Sequence, residues 1–166
     1  MIVATSFSVN EADGLDGLAG GTLLISFAAY GVIAFVLGRY ELATFCGVII
    51  GALLAFLWFN IPPARFYLGD TGAMSLGVTL AVIAMLTNSS LLLFFIGFVF
   101  LIESLSVIIQ VLSKRIRGKK IFLSSPLHNH LQAVGWPEAK IVMRFWVVAG
   151  IGVAIGLMIF LLDIKF

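Results

Sequence analysis

Five side chains that could carry metal or proton-transfer chemistry lie in three polar segments of a very apolar sequence. The segments contain Asp13 and Asp16, then Asp70, and finally His128 and His130. Carboxylates are ligands for Mg²⁺, and imidazole gains and loses protons near neutral pH. What these groups could do together depends on whether the three segments meet at one end of the fold.

The first polar segment is Asn10-Glu11-Ala12-Asp13-Gly14-Leu15-Asp16-Gly17. Asp13 and Asp16 are three residues apart, so a helical turn would place both carboxylates on one face. Two carboxylates on one face could hold Mg²⁺ or orient a polar substrate. Asp-Gly pairs also form turns, so a purely structural role stays open.

The second polar segment runs from residue 60 to residue 72. Pro62 and Pro63 should end the helix before it, and Asp70 or Thr71 is a natural N-cap for the helix after it. A carboxylate at a helix start beside glycines can also hold a metal ion against a phosphate. Capping and metal binding therefore remain alternative interpretations of Asp70.

The third polar segment is Pro126-Leu127-His128-Asn129-His130-Leu131-Gln132. Residues two apart do not share a helical face, so the two histidines converge on one ligand only if this stretch is non-helical. Two histidines without a cysteine or a third histidine make a poor zinc site. Imidazole could instead bind phosphate or transfer protons, and surface histidines without a function are the plain alternative.

The composition indicates that membrane-spanning helices position these segments. Of the 166 residues, 61% are hydrophobic and 11% are charged, and the mean hydropathy is +1.17. We predict an all-α, polytopic membrane bundle of about five spanning helices, because lipid offers no partners to unpaired backbone groups. The predicted spans are roughly 20–38, 42–59, 71–87, 91–112 and 141–162, each near the length of a hydrocarbon core. No helix is predicted before the first polar segment.

Counting these helices places all three polar segments on the same side of the membrane. That side also collects most of the basic residues, whereas Arg39 and Lys165 fall on the other side. An excess of lysine and arginine marks the cytoplasmic side. The run 114–120 is chiefly this topology signal and a contact for anionic headgroups, with a funnel for a polyanionic substrate as the alternative. The basic residues on the predicted cytoplasmic side are Arg65, Lys114, Arg115, Arg117, Lys119, Lys120, Lys140 and Arg144.

One carboxylate, that of Glu103, lies inside the predicted helix 91–112. A charged group at this depth is costly and should face the bundle or a water-filled groove. Ser106 and Gln110 follow at helical spacing and complete a polar stripe, which either lines a substrate groove or forms an internal hydrogen-bond network. A cation transporter would need acids paired across helices at mid-membrane, and only Glu103 lies there.

The residues of these motifs and their order along the chain resemble those of a known superfamily. Residues 9–19 resemble the N-x-x-D-G-x-D-G-L-A signature of the polyprenyl-phosphate N-acetylhexosamine-1-phosphate transferases, and residues 68–72 resemble their M-G-D-[TA]-G element. Residues 126–132, 135–138 and 144–146 are similar to the P-[IL]-H-H-H-F-E, G-W-x-E and R-F-W runs of the phospho-N-acetylmuramoyl-pentapeptide transferases. The resemblance covers essentially the whole chain.

The resemblance implies an Mg²⁺-dependent enzyme of peptidoglycan and cell wall biogenesis, and hence of cell shape and division. Such an enzyme transfers phospho-N-acetylmuramoyl-pentapeptide from its UDP carrier to undecaprenyl phosphate and releases UMP. The residues that match its motifs receive implied roles. These are metal binding for Asp70, catalysis for Asp13, Asp16, His128 and His130, and substrate binding for Asn10, Asn60 and Tyr67, whose ring would stack on uracil.

The implied location is the bacterial inner membrane, with a cytoplasmic active face. The implied partners are UDP-N-acetylmuramoyl-pentapeptide, undecaprenyl phosphate and the lipid bilayer. No nucleic acid is expected as a partner, and a homodimer is left open.

The sequence also departs from the family pattern. Phe7, Asn129 and Gln132 stand where the family has Asn, His and Glu. The family has about ten spanning helices and an aspartate pair with no match here, so residues 1–166 are expected to be one membrane domain, the C-terminal portion, inactive alone. The alternatives are a related UDP-N-acetylhexosamine polyprenyl-phosphate transferase, which the run 126–146 argues against, and an inactive remnant that binds lipid or a partner.

Overall fold

The computed structural model describes residues 1–164, and those residues form helices joined by turns and short loops, without a strand. Lys165, which the sequence assigns to the second side of the membrane, lies outside the described residues. A short 3₁₀ turn at Ser90–Leu92 precedes α5. The helices are α1 (Ile2–Ala12), α2 (Leu18–Val36), α3 (Tyr40–Asn60), α4 (Gly69–Leu86), α5 (Leu93–Ile96), α6 (Phe98–Arg117), α7 (Leu127–Ala133) and α8 (Glu138–Asp163).

Four helices, α2, α3, α4 and α8, are long and apolar enough to cross a membrane. A fifth crossing is possible only if Ser90–Ile96 and Phe98–Arg117 act together, and these two pieces are bent by 82°. The predicted all-α polytopic architecture is therefore confirmed. The prediction of one continuous helix over 91–112 was wrong, because the chain turns sharply at Gly97.

Gly97 allows this sharp turn between α5 and α6. A Cβ atom added there would lie 2.9 Å from the backbone carbonyl oxygen of Leu93, so a larger residue would press on the preceding turn. A sharp kink in a helical segment usually has such a local cause. Hydropathy averaged over the segment does not register one glycine among apolar neighbours, which explains the error.

Helix α1 was not predicted, because eleven residues that include several polar side chains are too few to form a stable helix alone. Tertiary contacts stabilise it instead. The Ser6 hydroxyl donates to the Met74 carbonyl of α4 at 3.1 Å, and the Ser104 hydroxyl of α6 lies 2.8 Å from that of Ser8. Because α1 is packed in this way, Asp13, the residue that follows it, is held in a fixed position.

Helix α6 buries its polar side and exposes its apolar side. Glu103, Ser106 and Gln110 are buried, whereas Ile108 and Leu112 are more than half exposed. This is the arrangement expected of a helix in contact with lipid, where polar groups need partners inside the protein. The predicted polar stripe is confirmed, and it faces the bundle.

The stripe forms an internal hydrogen-bond network at its Gln110 end. The Gln110 amide donates to the Phe122 carbonyl at 2.8 Å, and its oxygen accepts from the N–H groups of Ile121 and Phe122 at 3.0 Å. Gln110 therefore fixes the chain that follows α6 and leads to α7.

Helix α8 packs closely against α5 through two buried glycines. A Cβ atom at Gly152 would lie 2.4 Å from the Phe95 carbonyl oxygen, and one at Gly156 would lie 2.9 Å from Cγ1 of Ile96. Small residues let helix backbones approach in this way. A Cβ atom at Gly150, two residues away on α8, would meet no atom within 4 Å.

Gly152→Ala should lower the free energy of unfolding by about 1–3 kcal/mol, because the added methyl group would overlap the Phe95 backbone. Gly150→Ala is the matched control and should leave the free energy unchanged or raise it slightly, since alanine favours helix. Reversible unfolding in mixed detergent micelles measures both. Equal stability of the two variants would contradict the α5–α8 contact.

Candidate active site at one end of the helical bundle

The three polar segments meet at one end of the bundle, as the helix count predicts. Residues 13–17, here called the aspartate loop, join α1 to α2. The Asp16 carboxylate accepts a hydrogen bond from the Ala64 N–H at 2.9 Å, and the Asp16 N–H donates to Oε1 of Glu138 at 2.8 Å. These bonds tie the aspartate loop to the second polar segment and to the start of α8.

Gly17, the last residue of the aspartate loop, is held by side chains from α3 and α8. Its N–H donates to Oδ1 of Asn60 at 2.9 Å, and its carbonyl accepts from Nε1 of Trp146 at 3.1 Å. Its φ of 79° lies in the left-handed region, which glycine adopts without strain. The Asn60 amide also donates to the Phe66 carbonyl at 3.0 Å.

Asn60, which the resemblance assigns to substrate binding, therefore uses both polar atoms of its side chain on the protein itself. It is only 5% exposed. In this structure it supports the aspartate loop, and a direct contact with a nucleotide stays a prediction.

Asp13 lies directly after α1 and faces the start of α4. Burial raises the pKa of its carboxyl group from 3.8 to about 6, a hydrogen bond from the Gly69 backbone lowers it, and the negative charge of Asp70 raises it. The influence of Asp70 indicates that the two carboxylates are neighbours. Asp13 and Asp16 do not act as a pair on one helical face, because residues 13–17 form a turn and Asp16 faces Ala64.

Asp70 lies in the first turn of α4, which begins at Gly69. The residue before the helix is Leu68, and no side chain caps the helix start. The N-cap interpretation of Asp70 and Thr71 is therefore wrong. The exposed Asp70 carboxylate is left for another partner, as the metal-binding interpretation requires.

The two neighbouring carboxylates match one kind of metal site. Among residues 1–164, no group of three or more His, Cys, Asp or Glu side chains is arranged to hold a metal ion. Mg²⁺ is often bound by only one or two carboxylates, with water and substrate phosphates as the other ligands. Asp13 and Asp70 are therefore the residues that could hold such an ion.

The two histidines have different partners, because α7 is helical. Nδ1 of His128 lies 3.2 Å from Oε2 of Glu103, and the other edge of the ring packs against Gly14 of the aspartate loop. Nδ1 of His130 accepts from the Leu123 N–H at 3.2 Å. The structure thus brings His128 to the aspartate loop and directs His130 elsewhere.

The remaining predicted residues lie around this site. Oδ1 of Asn10 is buried and has no hydrogen-bond partner among the described residues. Tyr67 is 72% exposed, so its ring could stack on a flat ligand. Among the departures from the family pattern, Phe7 and Gln132 are exposed and Asn129 is half-buried, and the structure gives no reason for these substitutions.

Three further residues shape the site, Gly14, Glu138 and Trp146. The sequence predicted close backbone approach to a ligand at Gly14 and no role for the other two. A Cβ atom at Gly14 would lie 2.3 Å from Nε2 of His128, so only glycine leaves room for the imidazole. Glu138 and Trp146 bind the aspartate loop from more than 120 residues away. The sequence signal that could have identified Glu138 and Trp146 was their position in the motif runs 135–138 and 144–146.

Spanning helices with an acidic site at their ends are consistent with a membrane-bound transferase. Residues 1–88 match the family described as Glycosyl transferase family 4, and the chain belongs to that family.

More specific similarity is to proteins named phospho-N-acetylmuramoyl-pentapeptide-transferase. The protein of that name from Geobacillus thermodenitrificans (strain NG80-2) is 50% identical over 159 residues, and that from Staphylococcus carnosus (strain TM300) is 48% identical over 157 residues. The alignments cover 96% and 95% of this chain and 49% of each relative. The chain thus spans about half the length of the curated relatives it matches, corresponding to their C-terminal half.

The raised pKa of Asp13 gives a testable pH dependence. Without divalent cations, its carboxyl group should titrate near pH 6, and Asp70→Asn should lower that pKa because a negative charge is removed. Carboxyl ¹³C NMR across a pH series measures the shift. Glu41→Gln, at the opposite end of α3, is the control and should leave the Asp13 pKa unchanged.

The raised pKa of Asp13 also determines how the free energy of unfolding changes with pH. The folded protein binds the Asp13 proton more tightly than the unfolded chain does, so this contribution to stability is complete below about pH 3.8 and disappears as the pH rises through about 6. An Asp13 pKa that does not respond to Asp70→Asn would contradict the proximity of the two carboxylates.

Proposed function

We propose that the chain supplies the C-terminal half of an enzyme that transfers phospho-N-acetylmuramoyl-pentapeptide from UDP to undecaprenyl phosphate. The products would be UMP and the first lipid-linked peptidoglycan precursor, formed at the cytoplasmic face of the bacterial inner membrane. One observation carries this proposal. Asp13 and Asp70 lie close together at one end of the bundle, in a chain that is 50% identical over 159 residues to a transferase of that name.

Asp70 and Asp13 would hold Mg²⁺ in this enzyme. The ion would supply positive charge that neutralises the pyrophosphate and stabilises the leaving UMP. Positioning and electrostatic stabilisation supply most of the catalysis in phosphoryl transfer.

The surroundings of the site suit two substrates of different origin. The exposed basic residues at this end of the bundle would attract a polyanionic nucleotide from the cytoplasm, and the exposed ring of Tyr67 would stack on its base. The adjacent apolar helices let a lipid phosphate arrive from the bilayer. The basic residues are Arg65, Lys114, Arg115, Arg117, Lys119, Lys120, Lys140 and Arg144.

The test joins residues 1–166 to the N-terminal half of the Geobacillus thermodenitrificans relative and reconstitutes the hybrid in lipid. With UDP-N-acetylmuramoyl-pentapeptide, undecaprenyl phosphate and Mg²⁺, the hybrid should form lipid-linked product and release UMP. Asp70→Asn should reduce turnover by about a hundredfold or more, because a metal ion contributes several kcal/mol to such a transition state. Asp163→Asn, at the opposite end of α8, should have no effect.

Three outcomes would count against the proposal in different ways. Turnover of the Asp70→Asn hybrid at the wild-type rate would remove Asp70 from the metal site. Product from UDP-N-acetylglucosamine in place of the muramoyl substrate would favour the related hexosamine transferase. Mg²⁺-dependent product from residues 1–166 alone would refute the expectation that the other half is needed.

A further inference from the structure

Glu103 and His128 form a buried pair that connects the helical bundle to the aspartate loop. Their side chains are 0% and 1% exposed. Oε2 of Glu103 lies 3.2 Å from Nδ1 of His128 and 3.4 Å from its backbone N–H. Both contacts use the same oxygen, and Oε1 has no partner among the described residues. Glu103 therefore fixes both the ring of His128 and the start of α7.

The opposite edge of the imidazole points at the aspartate loop. A Cβ atom on Gly14 would lie 2.3 Å from Nε2 of His128 and 2.9 Å from its Cε1, so the ring is seated directly on the Gly14 backbone. Gly14 follows Asp13 in the chain. No hydrogen bond joins Nε2 to another of the described residues, so this nitrogen reaches the loop without a protein partner.

The partner of Nδ1 determines which nitrogen carries the proton. An ionised carboxylate only accepts hydrogen bonds, so Nδ1 of His128 must be protonated to bind Glu103, and Nε2 of the neutral ring is then an acceptor. His130 shows the reverse arrangement, because its Nδ1 accepts from the Leu123 N–H and must be unprotonated. The two histidines of the chain should therefore be opposite tautomers.

We propose that Glu103 is a positioning residue that keeps Nδ1 of His128 protonated and presents Nε2 to the aspartate loop beside Asp13. Held in this way, Nε2 accepts a hydrogen bond from, or takes a proton from, a group bound at that loop. The effect on catalysis rests on the proposed function, whereas the tautomer itself does not.

Two substitutions separate positioning from simple stabilisation. Glu103→Gln keeps an acceptor oxygen for Nδ1, whereas Glu103→Met removes it at similar volume. Removing one partner of a buried ionic pair is destabilising whatever its role, so stability alone does not separate the two roles, and the His128 proton position and kcat are the deciding readouts. A positioning role requires Gln to preserve the arrangement and Met to lose it.

The first experiment is ¹⁵N NMR of the full chain in lipid nanodiscs with labelled histidine. In alkaline buffer, His128 should carry its proton on Nδ1 and His130 on Nε2. Glu103→Gln should preserve the His128 signal, and Glu103→Met should shift it without changing His130. An unprotonated Nδ1 on wild-type His128, or a His128 signal unchanged by Glu103→Met, would overturn the proposal.

The second experiment measures transfer by the hybrid enzyme. Glu103→Met should lower kcat about tenfold or more with KM for the nucleotide little changed, and Glu103→Gln should recover most of the loss. Ser106→Ala is the control, since among residues 1–164 its hydroxyl donates only to the Glu103 carbonyl within α6. An inactive wild-type hybrid would refute the proposed function and leave the NMR result to decide the positioning. Equal kcat in the Met and Gln variants would remove Glu103 from catalysis.

Discussion

The candidate site depends on a short loop whose backbone polar groups are bound by side chains from distant helices. The N–H groups of Asp16 and Gly17 would otherwise be unpaired in a largely apolar bundle, and each such group costs about 1–3 kcal/mol when buried. Glu138 accepts a hydrogen bond from the Asp16 N–H, and Asn60 accepts one from the Gly17 N–H. Trp146 donates a hydrogen bond to the Gly17 carbonyl. The same bonds that stabilise the loop also set the position of Asp13 opposite the start of α4.

The membrane imposes the second constraint, because a carboxylate among spanning helices needs a partner inside the protein. Glu103 finds that partner in His128, which comes from α7 at the end of the bundle. Since α6 directs its polar stripe inward and its apolar side outward, the requirement to pair Glu103 also fixes the third polar segment against the aspartate loop. The pairing of buried Glu103 with His128 therefore positions one side of the site.

The sequence was sufficient for features that depend on composition and length. Apolar length alone located α2, α3, α4 and α8 to within about three residues, and the charge distribution with the helix count brought the polar segments to one end. The sequence was insufficient for features that depend on tertiary packing. Helix α1 is stabilised by α4 and α6, the bend at Gly97 reflects one residue, and Glu138 and Trp146 reach the loop from far along the chain. The N-cap interpretation of Asp70 failed because capping signals describe a helix start without its tertiary neighbours.

Binding of Mn²⁺ tests most directly whether Asp13 and Asp70 form one cation site. Mn²⁺ suits the same oxygen ligands as Mg²⁺, and its unpaired electrons broaden the NMR signals of nearby nuclei. In the full chain with ¹³C-labelled aspartate, substoichiometric Mn²⁺ should broaden the carboxyl signals of Asp13 and Asp70 and spare that of Asp163. The broadening of Asp13 should disappear in Asp70→Asn. Equal broadening of all aspartates, or broadening of Asp13 that survives Asp70→Asn, would contradict the account.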